Sequence, residues 1–466
     1  MDGNLERISL AVRERRISAA ELVETSLRRI AAAADLNAVI ALRADEAIRD
    51  ARALDERLDA GAPAGPLVGL PLLVKDIEDA AGLPTTFGSL LHAEALPALA
   101  DGLAAARLRA AGAILIGKTN VPEFAFEGYT DNRRFGPTRN PWAPDWSPGG
   151  SSGGSAAALA AGLALIATAT DVGGSIRIPA SACGLVGLKP TAGSIGLDPI
   201  LPSPELNNHG PLSCTVTDSR LLLEILAGPV AADPGVFSPF RTQRSGLPAR
   251  VVATARLSPG PSLPASVERC FKDALAAVHD DLGLAVEVVE PVVIFPSGYD
   301  PDDWFRIVGA DQARALGRDM LEERASELDP AFARHMARAL AMGVDEYLAA
   351  NTRRARYARE LDHLLSGATL LLSPTLTVEG WSPDGRLPGS AYPGLPSEVF
   401  NTEPANLTGH PAMSLPAGRL PNGVPFGLQV VGPRFGEGLL LAFAEAWESA
   451  RPWPLLADGF APFDIS

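Results

Sequence analysis

Leu72-Leu-Val-Lys-Asp76 and Leu103-Ala-Ala-Ala-Arg-Leu-Arg-Ala-Ala-Gly-Ala-Ile-Leu-Ile116 are the stretches whose reading decides the fold. The first is a short apolar run that ends on two charges, the pattern of a buried strand. The second opens as an Ala/Arg helix over Leu103 to Ala111, with Asp101 as candidate N-cap and Gly112 as its stop. It runs straight into Ala113-Ile-Leu-Ile116, another buried strand. Strands that are apolar at consecutive positions must be covered on both faces. Alternating with helices, they predict an α/β fold: a sheet covered by helices on both faces.

Working outward, residues 1–60 read as helices, the second opened by the capping box Ser18-Ala-Ala-Glu21. Residues 131–154 carry four prolines and five glycines and read as a long loop, followed by a small-residue helix from Ser155 to Leu165. From about 240 to 365 the texture is rich in Arg and Glu, with helical stretches such as Ala310–Leu328 and Val344–Leu365. This region reads as a helical cap rather than an independent domain. Strand-like runs return at Ala368–Thr375 and Ala412–Gly432.

The 466 residues are 47% hydrophobic and 20% charged, which excludes a disordered chain. A net charge of −15 would repel nucleic acid and anionic membranes alike. Three cysteines with no CxxC pair make no disulfide framework. The start Met1-Asp-Gly-Asn4 lacks a signal-peptide pattern, and the longest apolar stretch, Ala156 to Thr170, is too short to span a bilayer. The expectation is a cytoplasmic monomer or homodimer acting on a small molecule, with no nucleic-acid or membrane partner.

Several motifs could carry chemistry. Gly112-Ala-Ile-Leu-Ile-Gly-Lys-Thr119 matches the P-loop pattern, but its four middle residues form a strand and leave no loop to cradle phosphate. Ser147-Pro-Gly-Gly-Ser-Ser-Gly-Gly-Ser155 spells G-x-S-x-G twice. A nucleophile elbow needs a strand before its serine, and the three prolines between 141 and 148 make a poor one. An α/β-hydrolase esterase with a His base remains a distant alternative. Thr170-Asp-Val-Gly-Gly-Ser-Ile-Arg-Ile-Pro179 can form either a hairpin turn or a cluster of N–H groups suited to an oxyanion. A serine nucleophile needs a base. The six histidines sit in no motif, whereas Lys75 follows an apolar run in a chain with only four lysines. A desolvated lysine can be neutral near pH 7; an arginine cannot. No His/Cys/Asp/Glu cluster has metal-ligand spacing, so neither a metal nor a cofactor is expected.

Taken together these pieces resemble the amidase signature family. The resemblance is carried by Gly69-Leu-Pro-Leu-Leu-Val-Lys-Asp76, by Ala111 to Phe124, by Ser147 to Ala158 and by Thr170 to Ala180. Leu185-Val-Gly-Leu-Lys-Pro-Thr191, Pro404 to Pro416 and Gly427 to Gly432 add to it. It is densest over 67–192 and weak over 240–365. It implies one domain over 1–466 built on a mixed, twisted central sheet flanked by helices on both faces: N-terminal helices (1–60), a signature core (67–192), a helical insertion (about 240–365) and a C-terminal part of the core (368–466). It also implies a Ser–cis-Ser–Lys triad of Ser175 as nucleophile, Ser151 as bridge after a cis peptide, and Lys75 as base. Backbone N–H groups of Val172, Gly173, Gly174 and Ser175 would form the oxyanion hole, supported by Ser152, Asp171 and Arg177.

The substrate is less legible. Stand-alone members of the family cleave carboxamides, anilides, carbamates (urethanes) and esters. The loop Phe124-Ala-Phe-Glu-Gly-Tyr-Thr-Asp-Asn-Arg-Arg-Phe135 with Trp142 and Trp146 could wall a pocket for an apolar or aryl group, Tyr129, Phe135 and Trp142 foremost. The alternative within the family is an A-type component of a glutamine-dependent tRNA amidotransferase. Against it stand the net charge and the lack of an Asp in Glu398-Val-Phe-Asn-Thr-Glu-Pro-Ala-Asn406.

Overall fold

The two decisive runs become neighbouring parallel strands, Pro71–Lys75 and Ile114–Thr119, and every residue of both is buried. The computed structural model describes residues 3–197, 202–231, 233, 235–236, 245–258, 261–387 and 401–465. Residues 398–400 of the stretch weighed against the amidotransferase reading lie outside them. In chain order the strands are β1 (Val39–Leu42), β2 (Pro71–Lys75), β3 (Ile114–Thr119), β4 (Ile166–Ala167), β5 (Thr170–Asp171), β6 (Val186–Lys189) and β7 (Asn208–His209). They continue as β8 (Leu212–Ser213), β9 (Arg250–Ala253), β10 (Val286–Val288), β11 (Thr369–Pro374), β12 (Ala412–Arg419) and β13 (Pro425–Val431).

The mixed α/β architecture is as expected, with its ladders running in two main sheets. One has the order β1-β3-β2-β4, the other β10-β9-β11-β13-β12-β6-β8, and β5 pairs with β7. Both main sheets combine parallel and antiparallel neighbours. They meet where β4 lies against β8. Helices Ala19–Ala32, Ala44–Asp59 and Gly153–Ala160 pack on the first sheet. Arg177–Cys183, Ala265–Asp280 and Glu437–Ala450 pack on the second.

Local signals decide the helix ends. The capping box forms as read: Glu21 N donates to Ser18 Oγ at 3.1 Å and Ser18 N to Glu21 Oε2 at 2.8 Å. Asp101 does not cap its helix; Gly102 stands at that position, and the Asp101 carboxylate accepts from Ala81 N at 2.8 Å instead. The small-residue helix runs over Gly153–Ala160, not Ser155–Leu165. It starts early because its glycines allow close approach: a Cβ on Gly154 would lie 2.4 Å from Asn120 N. It stops early because Gly162 turns left-handed at φ +60°.

The helical insertion is shorter than the sequence suggested. β9, helix Ala265–Asp280 and β10 belong to the seven-stranded sheet and its cover. The sequence does not announce this part of the sheet, because β10 has only three residues amid charged sequence. Helices Asp302–Leu316, Arg318–Glu323, Pro330–Ala341 and Val344–Leu364 form the rest, with the expected Ala310–Leu328 helix broken at Gly317. Their interior, including Phe305, Leu321, Phe332 and Met336, packs against Phe124, Phe126 and Trp304.

Candidate active site

Lys75 ends β2, at the carboxyl edge of parallel strands where open α/β sheets place their ligands. Strand alternation sends its neighbour the other way. Asp76 pairs with Lys118 Nζ at 3.0 Å. Lys118, the lysine of the P-loop-like motif, also donates to Glu78 O at 2.7 Å and is fully buried, so it ties the strand ends together. Lys75 Nζ points into a different environment, 2.8 Å from Ser151 Oγ and 2.9 Å from Thr170 Oγ1. Burial lowers Lys75 to about 7, against the opposing pull of Asp171 and Glu78.

Ser151 follows a cis Gly150–Ser151 peptide just before helix Gly153–Ala160. The chain before it, from 131, holds no strand, so the elbow geometry of an α/β-hydrolase is missing. Ser152 N donates to Ser175 O at 3.2 Å, joining the two glycine-serine segments. Ser152 Oγ sits 3.4 Å from Thr170 O. Ser151 and Ser175 open on one cavity of about 310 Å³.

The segment from Val172 to Ser175 is held from several sides. Arg177 Nη2 and Nε meet the two carboxylate oxygens of Asp171 at 2.9 and 3.0 Å, both residues fully buried. Burial alone would push the Asp171 carboxyl up; Arg177, Lys189 and Asn406 outweigh it and hold it at about 2. The other face of the guanidinium binds Thr402 O and Gln429 Oε1, both at 2.8 Å, and Asn406 Oδ1 at 2.6 Å. A fully satisfied buried network of this kind fixes geometry. Thr402 Oγ1 donates to Gly173 O at 2.6 Å and Trp304 Nε1 to Val172 O at 2.9 Å. Carbonyl and N–H of a trans peptide point opposite ways, so these bonds also aim the N–H groups that follow. Gly174, at φ +134°, would press a Cβ to 2.2 Å from Thr402 Oγ1. Its N–H is already engaged, donating to Asp171 Oδ1 at 2.8 Å. That corrects the expected four-donor oxyanion hole: the carboxylate closing the turn takes one donor for itself.

The cavity is walled by aromatic rings, only some of them expected: Phe124 and Phe126 of the loop 124–135 line it, whereas Tyr129, Phe135, Trp142 and Trp146 do not. Phe87, Phe124, Phe126 and Trp304 line it, with Ile77, Val308 and Leu316. Tyr129 is buried with Ile178, Leu376 and Trp381 in a separate cluster. Phe135 lies under the Arg134 guanidinium. Trp142 donates to Cys183 O at 2.7 Å and packs under Arg419. Sequence reasoning also gives no role to Thr170, Thr402, Asn406 or Trp304. The first three stand inside quoted motifs; Trp304 lies in the helical region, where no motif points to it. Among the described residues no group of three or more His, Cys, Asp or Glu side chains is placed to hold a metal ion. No described helix is long and apolar enough to cross a membrane.

A family model described as Amidase matches residues 21–441. An acylamidase of Rhodococcus erythropolis is 35% identical over 471 residues, spanning 96% of this chain and 95% of its own. The A-type component of the glutamyl-tRNA(Gln) amidotransferase of Nocardia farcinica is 35% identical over 475 residues, spanning 94% of this chain and 96% of its own. Among solved structures, a bacterial aryl acylamidase of the amidase signature family superposes with a TM-score of 0.85 at 28% identity, covering 97% of this chain and 96% of that one.

Proposed function

The chain belongs to the amidase family and is an amidohydrolase of carbon–nitrogen bonds; from that premise we propose a stand-alone amidase that cleaves small aryl or apolar amides through an acyl-enzyme on Ser175. The observation that carries this reading is the 2.8 Å contact of the buried Lys75 Nζ with Ser151 Oγ, Ser151 and Ser175 lining one cavity. Neutral Lys75 Nζ takes a proton from Ser151 Oγ, which takes one from Ser175 Oγ. Ser175 Oγ attacks the amide carbonyl. The N–H groups of Val172, Gly173 and Ser175 receive the oxyanion, a stabilisation worth several kcal/mol in a dry, preorganised site (about 3–4 per donor). The relay then returns the proton to the leaving nitrogen, without which an amide anion would have to depart. Water reverses the sequence and frees the acid. Ser152, Asp171 and Arg177 hold the two serine segments in register.

The cavity walls favour an acyl or amine part that is aryl or branched alkyl, and the structural relative named an aryl acylamidase supports the aryl reading. Carbamates and esters of similar size fit the same chemistry. The Nocardia relative keeps a second reading, the A-type amidotransferase component. Both are tested by a hydrolysis screen over anilides, alkylamides, carbamates, esters and glutamine, with Ser175→Ala as blank. Anilide turnover and fluorophosphonate labelling, each lost in Ser175→Ala, are the expected result. Labelling on Ser151 or Ser152 instead would reassign the nucleophile. Turnover of glutamine alone would favour the amidotransferase.

A further inference from the structure

Glu127 follows Phe126 in the chain, and both residues line the cavity. Glu127 is 7% exposed, and its Oε1 is buried with no aligned hydrogen-bond donor among the described residues. His335 Nε2 lies 3.1 Å from that oxygen. The imidazole is itself packed between Phe126 and Phe305, at ring-centroid distances of 5.3 and 5.7 Å. The surroundings are acidic. Burial first, and then Glu127, Asp329 and Asp131, push the Tyr129 hydroxyl up, with Arg334 opposing. Beside Glu127 the rings of Phe126 and Trp304 meet at 5.7 Å, and both face the cavity.

A buried carboxylate without its full set of donors is costly. Beside aromatic faces, as the one carboxylate among the described residues lining a mostly apolar cavity, it has the chemistry that receives an organic ammonium. The rings attract a cation through their quadrupoles, and the carboxylate supplies the opposite charge. We propose that Glu127 makes this enzyme selective for amides whose acyl or amine part carries a cationic alkylammonium group. The proposal rests on the hydrolytic reading of Ser175, and it names the substrate class of that same site.

The test compares anilides that end in trimethylammonium with isosteres that end in tert-butyl, the group placed on the acyl side in one pair and on the amine side in another. In the wild type, kcat/KM should favour the cationic member of one pair about tenfold or more. In Glu127→Gln that ratio, measured at about 0.1 M salt or above where the long-range field is screened, should fall toward one. A second measurement needs no turnover: phenyltrimethylammonium should protect Ser175 from fluorophosphonate better than tert-butylbenzene does, and Glu127→Gln should erase the difference. Labelling of Ser175 also reports that the variant is folded. Absence of any cationic preference in the wild type at that salt, or a preference of the same size in Glu127→Gln, overturns the proposal while leaving the amidase reading intact. Failure of the wild type to hydrolyse any amide overturns the amidase reading itself and the proposal with it.

Discussion

Lys75 must lose a proton before it can take one. A solvated lysine keeps its charge to about pH 10.4. Burial at the end of β2 brings Lys75 to about 7, and Asp171 and Glu78 limit the fall. The inactive form is the protonated one, so kcat/KM on an amide should climb as pH rises through about 7 and level off above. Lys75→Arg keeps the charge but cannot accept a proton near neutrality, so it should lose amide hydrolysis by about the same factor as Lys75→Ala. The loss should be about 10² or more, in line with removal of a positioned general base. Esters should suffer less than amides, because an alkoxide departs with less help. A matched ester–amide pair measured across pH in both variants decides it; near-wild-type amide turnover by Lys75→Arg would place the base elsewhere. At this scale the sequence is informative because lysine is scarce. Lys75, Lys118 and Lys189 are all fully buried, and among the chain's four lysines only Lys272 is not. Solvated positive charge falls to arginine, so an isolated lysine beside apolar residues marks an interior site.

Between elements, the helical insertion contributes Trp304, Val308 and Leu316 to the cavity wall, and Trp304 also holds the Val172 peptide. Trp304 begins helix Asp302–Leu316, walls the cavity, and donates to Val172 O at 2.9 Å. Its neighbour Asp303 is fully buried and accepts from Arg306 Nη1 at 2.8 Å and from Tyr357 Oη at 2.9 Å. Tyr357 stands on helix Val344–Leu364, so this pair fixes the helix that carries Trp304. Trp304→Phe keeps a ring in the wall and removes the donor to the Val172 carbonyl. The Gly173 N–H that this peptide carries is then less firmly aimed. The expected outcome is a fall in kcat of up to about 10², with KM changed far less, since losing an oxyanion donor outright costs about 10²–10³. A KM effect with kcat intact would make Trp304 a wall and nothing more. Of the wall, only Phe124 and Phe126 are legible in the sequence, as part of the aromatic loop 124–135. Phe87, Phe124, Phe126 and Trp304 converge from distant segments, and a ring's direction is set by tertiary packing. Tyr129, Phe135 and Trp142 sit near the signature loops, yet each turns to the core or to an arginine instead.

Over the whole molecule, long apolar runs announce the interior strands, but not how they pair. β11, β13, β12 and β6 are neighbours although about 180 residues separate β6 from β11, and β4, β5, β7 and β8 have two residues each, too few for a periodic signal. Charge, by contrast, is legible without any fold. A net charge of −15 gives the molecule a negative field that draws cations toward it and repels anions. This long-range attraction and the short-range contact at Glu127 respond differently to salt. The Debye length shrinks from about 30 Å at 0.01 M to about 10 Å at 0.1 M, so the field is screened while a buried carboxylate is screened much less. For a trimethylammonium anilide, kcat/KM should therefore fall by a few-fold over that range and then flatten at a value still above its tert-butyl isostere. The isostere should hardly change. Glu127→Gln should keep the salt-dependent fall and lose the plateau difference, because it barely alters the net charge but removes the carboxylate proposed to touch the ligand. Measuring both substrates in both proteins across ionic strength separates the two. A preference that vanishes entirely at high salt in the wild type would assign selectivity to the field of the whole surface and leave Glu127 without a ligand.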